Sequence, residues 1–183
     1  MIQDALIPFF AVGLAELGDK TQLSILLMSS RIGRRRELLL GVMLGFLLVD
    51  GLAVLAGWLA ADFVPVGVLK TFAAIIFIAF GLMALMGGES EEEDQRWDRS
   101  PFMSGFLMVS VMEFGDKTQI AAGLFATQYN PLMVLGGAIA ALALLSACAV
   151  YLGKLIAGRV KRGFMNRISA AVFITMGIAF LFY

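Results

Sequence analysis

The chain has 183 residues, 60% of them hydrophobic and 15% charged, with a mean hydropathy of +0.90. Soluble domains carry charge on about a quarter of their residues, so this is the composition of an integral membrane protein. Acidic and basic residues balance at 14 each, which leaves no net-charge argument for nucleic acid, and histidine is absent, which removes the commonest zinc and copper ligand and the commonest general base.

Six apolar segments follow in chain order, at about 3–30, 38–61, 66–87, 101–128, 131–157 and 165–183. Each is long enough, or nearly so, to cross a hydrocarbon core of ~30 Å as a helix. The start, Met1 to Pro8, has no basic region ahead of its apolar run and reads as the head of a retained helix rather than a cleaved signal. The first and fourth segments are longer than a straight crossing needs, so they tilt, protrude or break. Both carry a polar heptad with an internal glycine, Gly18 or Gly115, where a break or a close helix contact is expected. The second segment contains Asp50, a candidate proton relay, although a pore-edge or helix-bonded position suits a lone intramembrane acid equally. Its Gly41-Val-Met-Leu-Gly45 stretch fits packing within the bundle as readily as a homodimer. Between the third and fourth segments, residues 88–100 form an acidic linker, expected to be a solvated loop. Cys148 in the fifth segment reads as a small packing hydrophobe, and the eleven scattered methionines as packing or lipid-facing residues rather than copper ligands.

Basic residues sort to one side. Arg31, Arg34, Arg35 and Arg36 follow the first segment, Arg96 and Arg99 lie in the linker, and Arg159, Lys161, Arg162 and Arg167 follow the fifth. With six crossings these three loops share a face, which the positive-inside rule places in the cytoplasm, with both termini outside. Lys70 is the exception on the opposite face.

The heptad occurs twice, as Glu16-Leu-Gly-Asp-Lys-Thr-Gln22 and Glu113-Phe-Gly-Asp-Lys-Thr-Gln119, 97 residues apart. Weaker matches at a spacing of 96 extend the repeat: Val54 to Gly57 with Val150 to Gly153, and Ala74 to Gly81 with Ala170 to Gly177. In this alignment Asp50 has Ser146 as its counterpart. The expected fold is therefore all-α, six transmembrane helices as two three-helix repeats, 1–87 and 101–183. Three crossings per unit invert the second copy relative to the first and bring the heptads together near the midplane.

If the heptads are helical, Glu16 and Asp19 share a face, as do Glu113 and Asp116. Thr21, Gln22, Thr118 and Gln119 add neutral oxygens. Two such faces make an oxygen-only cage suited to a hard divalent cation such as calcium or manganese. Lys20 and Lys117, four residues after the glutamates, are placed to compensate charge when no cation is present. Buried Glu–Lys pairs also serve as glue between helices, but glue does not require the same ordered set of six residue types in both halves. A small exporter of another substrate class, such as amino acids, is one alternative, but it does not need four acids at the midplane; a membrane assembly or scaffold protein is another, and its loss would not give a growth defect specific to excess manganese.

The doubled E-x-G-D-K-T-Q motif, on the first and fourth of six predicted helices around an acidic central loop, resembles the manganese and calcium cation/proton antiporters, a family with bacterial manganese exporters and Golgi and thylakoid members. The resemblance covers essentially the whole chain, and both motifs match in full. It implies that Glu16, Asp19, Glu113 and Asp116 bind the cation, with Thr21, Gln22, Thr118 and Gln119 in support. It further implies a secondary transporter rather than an enzyme, which exports Mn²⁺ or Ca²⁺ against protons or sodium and uses no cofactor. The organellar members' amino-terminal extension is not present, which favours a bacterial plasma membrane as the location.

Overall fold

In a computed structural model, residues 2–86, 100–156 and 162–182 are described, and these form eight α-helices. They are α1 (Gln3–Glu16), α2 (Lys20–Arg31), α3 (Arg35–Phe63), α4 (Val66–Met86), α5 (Pro101–Met112), α6 (Lys117–Ala126), α7 (Pro131–Ile156) and α8 (Arg162–Phe182). The acidic linker, save Ser100, lies outside the described residues, as do Arg96, Arg99, Arg159 and Lys161.

Eight helices arise from six apolar segments because the first and fourth are each cut inside the heptad. Gly18 and Gly115 both take φ +81°, and no other described residue has positive φ. A side chain there costs about 1–2 kcal/mol, so each heptad places glycine where the backbone must turn. After the turn the next residue is extended, Asp19 at φ −71°, ψ 167° and Asp116 at φ −75°, ψ 165°, and each opens a new helix as its N-cap. The amides of both aspartates donate to the carbonyl of their own motif's glutamate at 3.1 Å. The break expected at each glycine is present, which corrects the continuous helical reading of the heptad: the Glu16 and Asp19 carboxylates approach within 4.8 Å across a broken turn, not along one helix face.

The surface is that of a protein solvated by lipid. Along α3, Leu40, Leu44, Leu47, Leu48, Leu52 and Leu55 are exposed, whereas Gly41, Val42, Gly45, Phe46 and Val49 are buried. An apolar stripe of that length facing outwards is foreign to soluble monomers. Helices α3 and α4 and residues Pro131–Leu152 of α7 are each long and apolar enough to cross a membrane, and α5 and Ala170–Phe182 are shorter apolar helices. The chain is an integral membrane protein.

Packing between the halves is reciprocal. α3 lies against α5 and α6, and α7 lies against α1 and α2. A Cβ on Gly41 would run into the backbone carbonyl of Phe102, and one on Gly137, its repeat counterpart, into that of Ala5. Gly41 and Gly45 both face α5, so this small-residue stripe is occupied within the chain and offers no seam to a second copy. On α4 and α8, Gly81 packs on Ala170 and Ile174 while Gly177 packs on Ala74 and Ile78. The equivalent phenylalanines Phe77 and Phe173 meet each other with ring centroids 5.9 Å apart, and Phe125 and Phe180 complete the cluster. Cys148 is partly rather than fully buried and is free.

Candidate cation-binding site

The two helix breaks lie together. Glu16 closes α1, Asp19 opens α2 and Asp116 opens α6, and one carboxylate oxygen from each lies within 4.8 Å of the other two. Aspartate at an N-cap ordinarily accepts a hydrogen bond from the first turn of its helix. Neither Asp19 nor Asp116 does so, which leaves both carboxylates available to the space between the breaks.

Burial makes this cluster costly without a counter-charge. Glu16 is fully buried, and neither of its carboxylate oxygens has a hydrogen-bond partner; Oδ2 of Asp116 is likewise buried and unpartnered. Orphaned ionisable groups in an apolar interior cost several kcal/mol each unless a cation or water satisfies them. The donors are all oxygens, which suits a hard divalent cation.

The remaining heptad residues divide unequally. Glu113 is buried but outside the three-carboxylate cluster; it accepts a hydrogen bond from Thr118 Oγ1 at 3.4 Å and lies near the Thr21 side chain of the other motif. Gln119 accepts from the amide of Gly115 and donates through Nε2 to the carbonyl of Val49 on α3 at 3.1 Å. Gln22, its counterpart, is buried with both side-chain polar atoms unpartnered.

The lysines part company too. Lys117 Nζ forms an ion pair with Asp19 Oδ2 at 2.9 Å and lies within electrostatic reach of Glu16 and Asp116. Lys20 is exposed and makes no ion pair among the described residues. Charge compensation by both lysines, each beside its own glutamate, is therefore corrected: one lysine acts, and it crosses to the other motif's aspartate. A backbone break that re-aims each lysine away from the i, i+4 direction is the reason.

Asp50 is buried, one of its oxygens unpartnered, and it feels the charges of Glu113 and Asp116. Ser146, at the equivalent position on α7, is also buried without a partner. One contributor escaped the sequence reading: the Val49 carbonyl, which carries no side-chain signal.

The family model described as "Divalent cation/proton antiporter GDT1" matches residues 4–92 and 101–183. Among curated proteins the chain is 31% identical to the "Putative manganese exporter" of Vibrio cholerae, over 94% of this chain and 87% of that one. It is 25% identical to "GDT1-like protein 5" of Oryza sativa subsp. japonica, over 90% and 88%, and 27% identical to "GDT1-like protein sll0615" of Synechocystis, over 88% of each. No solved structure matches. With both halves matched and a relative aligned almost end to end, this chain belongs to the GDT1 family of divalent cation/proton antiporters, and it is a transporter rather than an enzyme.

Proposed function

We propose that this protein exports Mn²⁺ from the cytoplasm in exchange for protons, with Glu16, Asp19, Glu113 and Asp116 as the charged ligands and Thr21, Gln22, Thr118 and Gln119 in support. The observation that carries this reading is the convergence of Glu16, Asp19 and Asp116 from both motif copies, within 4.8 Å, with the Glu16 oxygens unpartnered. The name of the Vibrio cholerae relative supports manganese as the cargo. An all-oxygen donor set also admits Ca²⁺.

The reading includes six crossings, made by α1–α2, α3, α4, α5–α6, α7 and α8, in two halves of opposite orientation. The matching contacts of the counterparts Gly41 on Phe102 and Gly137 on Ala5, and of Gly81 on Ala170 and Gly177 on Ala74, support it. Broken helices at the midplane are the usual ion site of such transporters, because helix ends there present free backbone dipoles to the ion. Basic residues 34–36 then face the cytoplasm, both termini lie outside, and the membrane is a bacterial inner membrane.

Proton coupling follows from charge. Four carboxylates oppose one interior ammonium, Lys117, so an empty, ionised site would hold a net charge of minus three in a poorly polarisable medium. Departure of a divalent cation uncovers two units of negative charge, and protonation of two carboxylates offsets them. About two protons per cation keep the site's charge constant through the cycle.

Inside-out vesicles or proteoliposomes with an imposed pH gradient test the proposal, with Mn²⁺, Ca²⁺ and Mg²⁺ compared. Mn²⁺ accumulation in an acid lumen, accompanied by proton release, is expected. Manganese flux insensitive to the pH gradient, or a preference for Mg²⁺, would refute it.

A further inference from the structure

The two motif copies share every polar residue, differing only at Leu17 and Phe114, yet their side chains are engaged differently. In the second copy Glu113 is hydrogen-bonded by Thr118, Gln119 ties the Gly115 amide to the α3 carbonyl of Val49, and Lys117 holds Asp19. In the first copy Glu16 and Gln22 are buried with all their side-chain polar atoms unpartnered, and Lys20 is exposed. The aspartates complete the pattern: Asp19 is held by the second copy's lysine, while Asp116 Oδ2 is buried and unpartnered. Glutamate, aspartate, lysine and glutamine thus each have one engaged and one unengaged copy across the two repeats.

Backbone geometry does not separate the copies. Gly18 and Gly115 share φ +81°, and the turn hydrogen bonds are 3.1 Å in both. The first copy therefore has the framework to make the contacts that the second makes. Nothing intrinsic to the motif stops Lys20 from reaching Asp116, or Gln22 from tying Gly18 to Leu145, which is the α7 residue equivalent to Val49.

We propose that Lys117 with Gln119, and Lys20 with Gln22, are alternating latches, positioning residues of the transport cycle that exchange roles between its two end states. In the opposite-facing state Lys20 pairs with Asp116 and Gln22 ties Gly18 to the Leu145 carbonyl, while Lys117 and Gln119 release. Each latch lysine takes up one ligand aspartate, so the cation must displace it to bind, and this ties occupancy of the site to the change of state. The inference rests on the proposed site and adds to it two roles that charge compensation does not contain: the lysines act in turn, and each acts on the other repeat.

The test is the sidedness of apparent affinity. In oriented proteoliposomes, half-saturating Mn²⁺ is measured at each face for the unaltered protein, Lys117→Gln and Lys20→Gln. A latch that stabilises one end state governs the fraction of transporters open to one face, and apparent affinity at that face scales with the fraction. The two substitutions should shift the ratio of half-saturating concentrations in opposite directions, by about threefold or more each for a partly buried ion pair. Lys117→Arg should restore the original ratio. If Lys117→Gln does not fold, Gln119→Leu removes the other half of the same latch and should shift the ratio the same way. A direct effect of lysine charge on cation binding would move both faces together and leave the ratio unchanged. If Lys20→Gln leaves the ratio unchanged, or both substitutions move it in one direction, the alternating latch is wrong. Manganese flux by the unaltered protein in these vesicles tests the functional proposal separately: flux with an unmoved ratio overturns the latch alone, whereas no flux overturns both.

Discussion

At the scale of single residues, the site works by withholding ordinary partners from charged groups. Asp19 and Asp116 stand at helix N-caps yet do not cap, and Glu16 is buried without a hydrogen bond. Asp19→Asn and Asp116→Asn should each reduce Mn²⁺ flux by more than about tenfold, since each removes one charge-assisted ligand worth roughly 1.5–3 kcal/mol; the protein should remain inserted and monodisperse by size-exclusion chromatography in detergent. Near-normal flux in either variant would remove that residue from the site. The turn glycines have a different job. Gly18→Ala or Gly115→Ala places a Cβ at φ +81° and should cost about 1–2 kcal/mol, seen as a lower thermal midpoint in detergent. Because the two turns match, the two losses should be similar.

At the scale of elements, helices meet where glycine lets backbones touch. Neighbouring positions of α7 give a controlled comparison: a Cβ at Gly137 collides with the Ala5 carbonyl, whereas at Gly136 nothing lies within 4 Å. Gly137→Ala should therefore separate α7 from α1 and destabilise by about 1–3 kcal/mol, because a backbone carbonyl cannot step aside as a side chain can. Gly136→Ala should be neutral or stabilise by up to roughly 1 kcal/mol, as it lowers the entropy lost on folding without meeting anything. Thermal unfolding of the two variants in one detergent decides the matter, and equal losses would contradict the packing.

At the scale of the whole molecule, the halves make reciprocal contacts around the Phe77–Phe173 pair, and the proposed orientation yields a direct test. With Cys148→Ser as background, a cysteine at position 35 should react with an impermeant reagent from the cytoplasmic side, and one at position 128 from outside. Reaction of both from the same side would break the six-crossing arrangement. An uneven site inside an evenly repeated frame is the larger point: Asp50 faces the second motif's acids, while its counterpart Ser146 brings no charge.

Much of this was legible in the chain alone, for physical reasons. Composition required a lipid solvent, segment lengths required helices, and two heptads with the same polar residues in apolar surroundings required a shared use, because burying such groups twice is too costly to be incidental. The glycine inside each heptad also marked the place for a break or a close helix contact, and the structure has the break. What sequence could not decide was partnership across the molecule. Identical motifs predict identical roles, yet Lys117 is paired inside and Lys20 is exposed, and Gln119 is tied while Gln22 is not. One site between two repeats has room for only one of two competing sets of contacts, and the tertiary structure alone determines which repeat holds them.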